Sequence, residues 1–356
     1  MYFRQLRLPD IGCASYIVGG DGVCAVIDPR WDAVPQYLGL AKQQGLHITH
    51  IVETHTHADH VSGATRLAAR TGATILIHRD ARVTYPHRDL ADGGEIAVGP
   101  ARLLIIHTPG HSLDSISLLV SEVGAKATPQ LLSGDTLFVG DVGRPDLHGS
   151  QAAGLAALLY TSLHGRLLLL EDAVEVYPAH LAGSLCGRRI APDPSTTIGR
   201  ERQTNPALAF NEREPFVQSI VADLPPRPPN VDRIVQLNRS EAPTRRPEVT
   251  HVTPNEAATL LDSVITIDSR DALIFAVGHL RGAINIPISY GQLGVMAAWL
   301  LSPETPLLLI TDEDLADAID SLMAVGMTNP LSVLSGGPQV WSAVGLDIAQ
   351  TSLINA

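Results

Sequence analysis

The stretch VETHTHADHV, residues 52–61, sets His55, His57, Asp59 and His60 directly after the apolar run ITHIV. Imidazoles two positions apart converge on one ion where the chain between them is extended or turns. Asp59 and His60 then offer ligands for a second ion, or support for the ligands of the first. So dense a group of ligand types demands a fold that closes around metal, and by itself it leaves a zinc pair and a single iron equally open.

Three later residues stand at the ends of apolar runs, where α/β proteins place their active-site loops: His111 in HTPGHSLDSIS, Asp135 in LLSGDTLF and His180 in VEVYPAHLAGS. Runs such as SYIVGGDGVCAVIDP read as strands with tight turns, and AVPQYLGLAKQQG and VSGATRLAARTG read as helices. Their alternation predicts α/β layers around a mostly buried sheet.

At 356 residues, 45% of them hydrophobic, the chain has material for two cores. A formal net charge of -12 opposes binding to nucleic acid or to an anionic membrane. The amino terminus has no uninterrupted apolar segment with a cleavage site, so a cytoplasmic location is expected. Cys13, Cys24 and Cys186 are odd in number and fit free thiols. Cys24, in VCAVID, reads as a core residue, and Cys13, just before a strand, reads as facing either the site or the core, with core favoured. Cys186, in the Gly-bounded HLAGSLCGRR with Arg188 and Arg189 close by, reads equally as a reactive or persulfide-carrying thiol and as a buried, inert one. His47, His50, His78 and His107 lack partners at ligand spacing and read as structural.

The ordered set of ligand motifs resembles the metallo-β-lactamase superfamily over residues 1 to about 215. That resemblance implies an αββα sandwich. TPGHSLDSISLL, GDTLFVGDVGRPDL and GRERQTNPAL are similar to the persulfide dioxygenase branch. In that branch one Fe(II) per chain is held by residues matching His55, His111 and Asp135, a facial triad suited to oxygen chemistry. His57, Asp59, His60 and His180 then support those ligands and handle protons. The alternative is a dinuclear zinc thioester hydrolase resembling glyoxalase II, with the same four residues completing two zinc sites. Arg144, in GRPD, is a candidate to bind an anionic substrate, or else a salt bridge to Asp146 or Asp141 that shapes its loop.

LPPRPPN and SEAPTRRPEV, rich in Pro and Arg, predict an extended linker over residues 224–246, between a catalytic domain of residues 1–223 and a second domain of residues 247–356. VITIDSRDALIFAVGHLRGAINIPI and VLSGGPQVW resemble the signature regions of rhodanese domains. The whole is thus expected to be a metallo-β-lactamase sandwich followed by a smaller α/β rhodanese-like domain. Thr311 or Asp312 stands where the rhodanese nucleophile would be, and no cysteine follows Cys186, so cysteine-based transfer there is excluded. The resemblance implies a small-molecule persulfide and O2 as substrates, sulfite and thiol as products, and a homo-oligomer, dimer or tetramer. A non-enzymatic rival is a sulfur-responsive protein that uses Cys186.

Overall fold

Alternation at period two organises the first half of the chain. Tyr16, Val18, Ala25, Ile27, Val52 and Leu76 face one core, while Ile17, Val26, Ile51, Ile75 and Ile77, interleaved with them, face another. Strands buried on both faces carry near-continuous apolar runs, which is why these read so plainly in the sequence. The computed structural model describes all residues except 9–11, 150, 223, 241, 313–314, 328–330 and 353–356. It divides into one unit of Met1–Arg227 with Val231–Thr244, and a second of Pro228–Asn230 with Arg245–Ala356.

In the first unit, β1 (Tyr2–Leu8), β2 (Cys13–Gly20), β3 (Val23–Ile27), β4 (His47–Val52), β5 (Thr74–His78) and β6 (Arg88–Leu90) form one sheet in that order. β7 (Glu95–Val98), β8 (Ala101–His107), β9 (Ile116–Glu122), β10 (Gln130–Gly134), β11 (Glu175–Pro178) and β12 (Thr196–Thr197) form a second. Their facing sides share a core in which Val18, Ile27 and Val52 meet Leu103, Leu118 and Val120. Helices α1 (Val34–Gln43) and α2 (Ala64–Thr71) cover the outer face of the first sheet through Val34, Tyr37 and Leu67. The outer face of the second is covered by α3 (Ala152–Gly165), α4 (Ile198–Thr204) and α5 (Arg213–Ala222), through Leu159, Leu163, Ile198 and Phe216. The layers are therefore helix, sheet, sheet, helix, as the sequence led us to expect.

Residues Ala152–Leu169 are long and apolar enough by composition to cross a membrane. Here Leu155, Ala156, Leu159 and Leu163 are buried, and most of them pack with α5 in the core of the unit.

The extended linker expected at 224–246 is corrected by α6 (Val231–Arg239), which lies within that stretch. Its Val231, Ile234, Leu237 and Asn238 recur at helical spacing and are buried. The prolines on either side dominate the composition and mask a short amphipathic helix between them. Most of the stretch belongs to the first unit.

The second unit is α/β. Its strands β13 (Val249–Val252), β14 (Ile265–Asp268), β16 (Ile284–Asn285), β17 (Leu307–Ile310) and β18 (Leu331–Leu334) make one parallel sheet ordered β13-β18-β17-β14-β16. β15 (His279–Leu280) pairs with β19 (Ile348–Ala349). Helices α7 (Pro254–Leu260), α8 (Ala272–Val277), α9 (Leu293–Leu300), α10 (Leu315–Ala324) and α11 (Pro338–Ala343) connect the strands. After β17, Thr311 is half-buried and Asp312 exposed. The next two acidic residues, also part of the expected helix start, lie outside the described residues.

Candidate metal centre

The site is built where strands stop. β4 ends at Val52 and leads into His55, β8 ends at His107 and leads into His111, β10 ends at Gly134 before Asp135, and β11 ends at Pro178 before His180. Gly134 adopts φ +54°, and a Cβ there would press on the Thr54 side chain at 2.8 Å, so the approach of β10 to the His55 loop needs glycine.

Three side chains pin the loop that carries the histidines. Asp28, at the end of β3, accepts from Thr54 N at 2.7 Å and from Thr54 Oγ1 at 2.8 Å. Asp114 Oδ2 accepts from Thr56 N and Thr56 Oγ1, both at 2.7 Å. Asn238 of α6 donates to the carbonyls of His57 at 2.9 Å and His60 at 2.8 Å, and accepts from Ser62 N at 2.8 Å. Residues 54–62 are thus held by groups from three distant parts of the chain.

His55, His111 and Asp135 are brought together, their ligand atoms all within 4.8 Å of one another. His55 Nε2 lies 3.8 Å and His111 Nε2 3.5 Å from Asp135 Oδ2. Ligand atoms each about 2.1 Å from one ion stand about 3–3.5 Å apart, so the set is close to closing on a metal. These same three atoms are buried and have no hydrogen-bond partner, and orphaned buried groups call for a missing ligand. The tautomers agree with that direction. His111 Nδ1 donates to Arg144 O at 2.8 Å. Thr54 Oγ1 already donates to Asp28, so His55 Nδ1 donates to it at 3.0 Å. Both Nε2 lone pairs remain free for metal.

The electrostatics prepare the same ligand forms. Burial lowers the pKa of both His55, well below the usual imidazole value, and His111, keeping them neutral. Burial opposes ionisation of Asp135, but His180, His55 and His111 outweigh it and hold the carboxyl well below the usual range.

The other expected residues separate into two further groups. His57 Nε2 lies 3.0 Å from Glu53 Oε2 and 3.3 Å from Asp28 Oδ1, in a buried set that does not include His55, His111 or Asp135. Asp59, His60 and His180 gather around Cys13, whose Sγ is 3.4 Å from Asp59 Oδ2 and from His180 Nε2, and 3.6 Å from His60 Nδ1. His180 links the two ends of the site: Nδ1 meets Asp135 Oδ1 at 2.7 Å and Nε2 meets Asp59 Oδ2 at 2.8 Å. Burial disfavours charge on His180, yet Asp135, Cys186 and Asp59 raise its pKa well above the usual value.

Two sequence expectations are corrected. Arg144 is not free to bind substrate: it is 1% exposed, with Nε on Asp146 Oδ1 at 2.7 Å and Nη2 on Asp146 Oδ2 and Pro225 O, both at 2.6 Å. Nη1 faces the carbonyls of Leu185 and Pro226 at 3.3 and 3.5 Å. The alternative reading, an ion pair that shapes the loop, is the one observed. Cys186 is 1% exposed, with Ala58, Phe138, Leu147 and Val231 around it, and its Sγ lies within 4.8 Å of ligand atoms of Asp135 and His180. Burial pushes its thiol pKa up, against the expected activation. Arg188 and Arg189 instead line a separate cavity of about 300 Å³ with Phe210 and Ser219.

Cys13, read as facing either the site or the core with core favoured, does both: it packs in the core of the first sheet's outer face and reaches Asp59. Sequence reasoning missed His148, whose ring is edge-on to His111 with centroids 5.4 Å apart. The position of His148, four residues after Arg144 in GRPDLH, was the available signal. His78 and His107, read as structural for want of partners at ligand spacing in the sequence, stack with centroids 4.0 Å apart and stand with Asp80 in a further set of ligand types.

Residues 8–180 match the family model described as the metallo-beta-lactamase superfamily. The hydroxyacylglutathione hydrolase of Pseudomonas entomophila (strain L48) is 33% identical over 215 residues, 53% of this chain and 78% of that relative. A metallo-beta-lactamase from Staphylococcus aureus subsp. aureus COL aligns with TM-score 0.80 and 30% identity, over 94% of this chain and 98% of its own. ETHE1 from Myxococcus xanthus aligns with TM-score 0.59 and 31% identity, over 67% of this chain and 98% of its own. With its two-sheet fold and a metal-binding site at the strand ends, the chain belongs to the metallo-beta-lactamase superfamily and is an enzyme of that metallo-hydrolase class.

Proposed function

We propose that the chain is an iron-dependent persulfide dioxygenase acting on a low-molecular-weight persulfide. The observation that carries the reading is the segregation of ligands: two imidazoles and one carboxylate converge, while His57 is drawn to Asp28 and Glu53. Two histidines and one carboxylate with open positions suit non-haem Fe(II) better than a dinuclear zinc site. Similarity to ETHE1, a persulfide dioxygenase, supports the same reading.

The reaction balances as RSSH + O2 + H2O giving RSH, sulfite and two protons. The terminal sulfur loses four electrons and O2 takes them up. A bound ferrous ion would supply the redox coupling between oxygen and sulfur. The chain's own residues have simpler duties. Arg144 O and Thr54 Oγ1 orient His111 and His55. The pairs from His180 Nε2 to Asp59 Oδ2 and from His180 Nδ1 to Asp135 Oδ1 offer a place to hold the released protons. Burial of the three ligands keeps bulk water from them.

The second unit we read as a rhodanese-like domain without its cysteine, serving structure, oligomerisation or docking rather than sulfur transfer. Its parallel sheet supports that reading, as does the run TDEDL at the end of β17, where the nucleophile would stand.

One specific observation favours the hydrolase alternative: Cys13, Asp59, His60 and His180 form a second buried set within 4.8 Å, suited to a second ion. The named relatives that are hydroxyacylglutathione hydrolases weigh on the same side. Metal analysis of anaerobically purified protein, paired with oxygen uptake on glutathione, coenzyme A and inorganic persulfides, decides between them. One iron per chain and persulfide-dependent oxygen uptake are expected; two zinc ions and oxygen-independent thioester hydrolysis would overturn the proposal.

A further inference from the structure

We propose that His148 is a binding residue of the metal centre, whose imidazole hydrogen-bonds whatever ligand occupies the open position beside His55, His111 and Asp135. Both ring nitrogens of His148 are buried and neither has a hydrogen-bond partner. The ring stands at 82° to His111 with centroids 5.4 Å apart, and the side chain interacts electrostatically with Asp114, Asp135 and His55. Leaving both nitrogens of an imidazole dry and unpaired is unfavourable, so the arrangement implies a partner that arrives with the ligand.

Among the described residues, no protein group takes that part. Asp114 spends Oδ2 on Thr56 N and Thr56 Oγ1. The neighbouring orphaned atoms, His55 Nε2, His111 Nε2 and Asp135 Oδ2, are committed to the metal set. His148 does not fall within that convergent set, so it is placed to bond a group held beside the ion rather than the ion itself.

The backbone makes this placement stiff. The loop after β10 packs so closely on Asp135 that a Cβ at Gly143 would collide with the Asp135 carbonyl and lie 3.1 Å from His111 Cβ. Arg144, locked to Asp146 and to the carbonyls of Pro225 and Pro226, fixes the next turn. Four residues on, His148 reaches His111. A neutral imidazole offers one N–H donor and one acceptor, so the ligand class is a small anion or a sulfur or oxygen terminus able to accept one hydrogen bond.

The inference rests on the metal reading of the site and is independent of the reaction assigned to it. The test uses full-length protein loaded with cobalt(II), titrated with azide and followed by the visible absorption of the metal, alongside cobalt content. His148→Ala is expected to keep full cobalt stoichiometry and to bind azide about tenfold more weakly, the loss of one hydrogen bond. His148→Gln, which restores a donor and an acceptor, should recover most of that loss and serves if the alanine variant folds poorly. Equal azide affinity in wild type and His148→Ala, including no binding by either, overturns the proposal. So does loss of cobalt from the variants, which would make His148 a ligand. A wild-type protein that binds azide through His148 yet takes up no oxygen with persulfide refutes the dioxygenase reading alone.

Discussion

Both units bury charged or polar side chains at strand ends, and they treat them in opposite ways. After β14, Asp268 and Arg270 are 0% and 3% exposed and fully engaged. Arg270 meets Asp268 through Nε at 2.8 Å and Nη2 at 2.5 Å, donates to Gly278 O at 3.0 Å, and lies over the Trp341 ring at 5.1 Å. After β4, β8 and β10, by contrast, His55, His111 and Asp135 are equally buried and each keeps one atom unpaired. Saturated buried charge fixes a loop, whereas unsaturated buried polarity waits for a ligand.

The sharpest way to break that contrast is His111→Ala. We expect oxygen uptake with persulfide to fall below detection and metal content to drop, with the unfolding of the second unit unchanged. Stable activity in this variant would remove the metal reading altogether.

Arg270→Met is the mirror experiment. Stranding Asp268 in the second core should cost about 3–5 kcal/mol, read from denaturant unfolding followed by fluorescence. Metal content should be unchanged, because Asp268 and Arg270 belong to the second unit and the candidate ligands to the first.

A smaller effect is expected from Asn238→Ala. Two carbonyls and one N–H of the histidine loop lose their partner, for about 1–3 kcal/mol. Metal affinity should fall with stability here, since the same hydrogen bonds hold His57 and His60 in place. Loss of stability without loss of affinity would show that α6 only packs.

The smallest is Thr253→Ala at the start of α7. It removes a capping box with Glu256 and should cost about 1 kcal/mol in the second unit. Activity of the first unit serves as the control.

The α/β layers were legible because the strands are buried on both faces and announce themselves as apolar runs closed by Gly, Asp or Pro, while the two-sheet sandwich followed from the family resemblance of the ligand motifs. The ligands were legible because His and Asp at the ends of such runs have few other reasons to be there. Helix α6 was not, since local composition around Val231–Arg239 is dominated by flanking prolines. The burial of Arg144 and of the Cys186 thiol was not legible for a related reason: Pro225 and Pro226, distant in sequence, join Asp146 on the guanidinium, and Phe138 and Val231 bury the thiol beside His180 and Asp135.

Sequence alone therefore determined the inventory: which residue types are present, in what order, and at which strand ends they fall. That information is local, carried by periodicity and by the chemistry of single side chains. The tertiary structure decided the partition. It assigned His57 to Asp28 and Glu53, set Cys13 among Asp59, His60 and His180, and aimed three orphaned atoms at one point. Such assignments depend on contacts between residues far apart in the chain, as with Cys13 and His180 or Asn238 and His57, whose pairing no local pattern encodes.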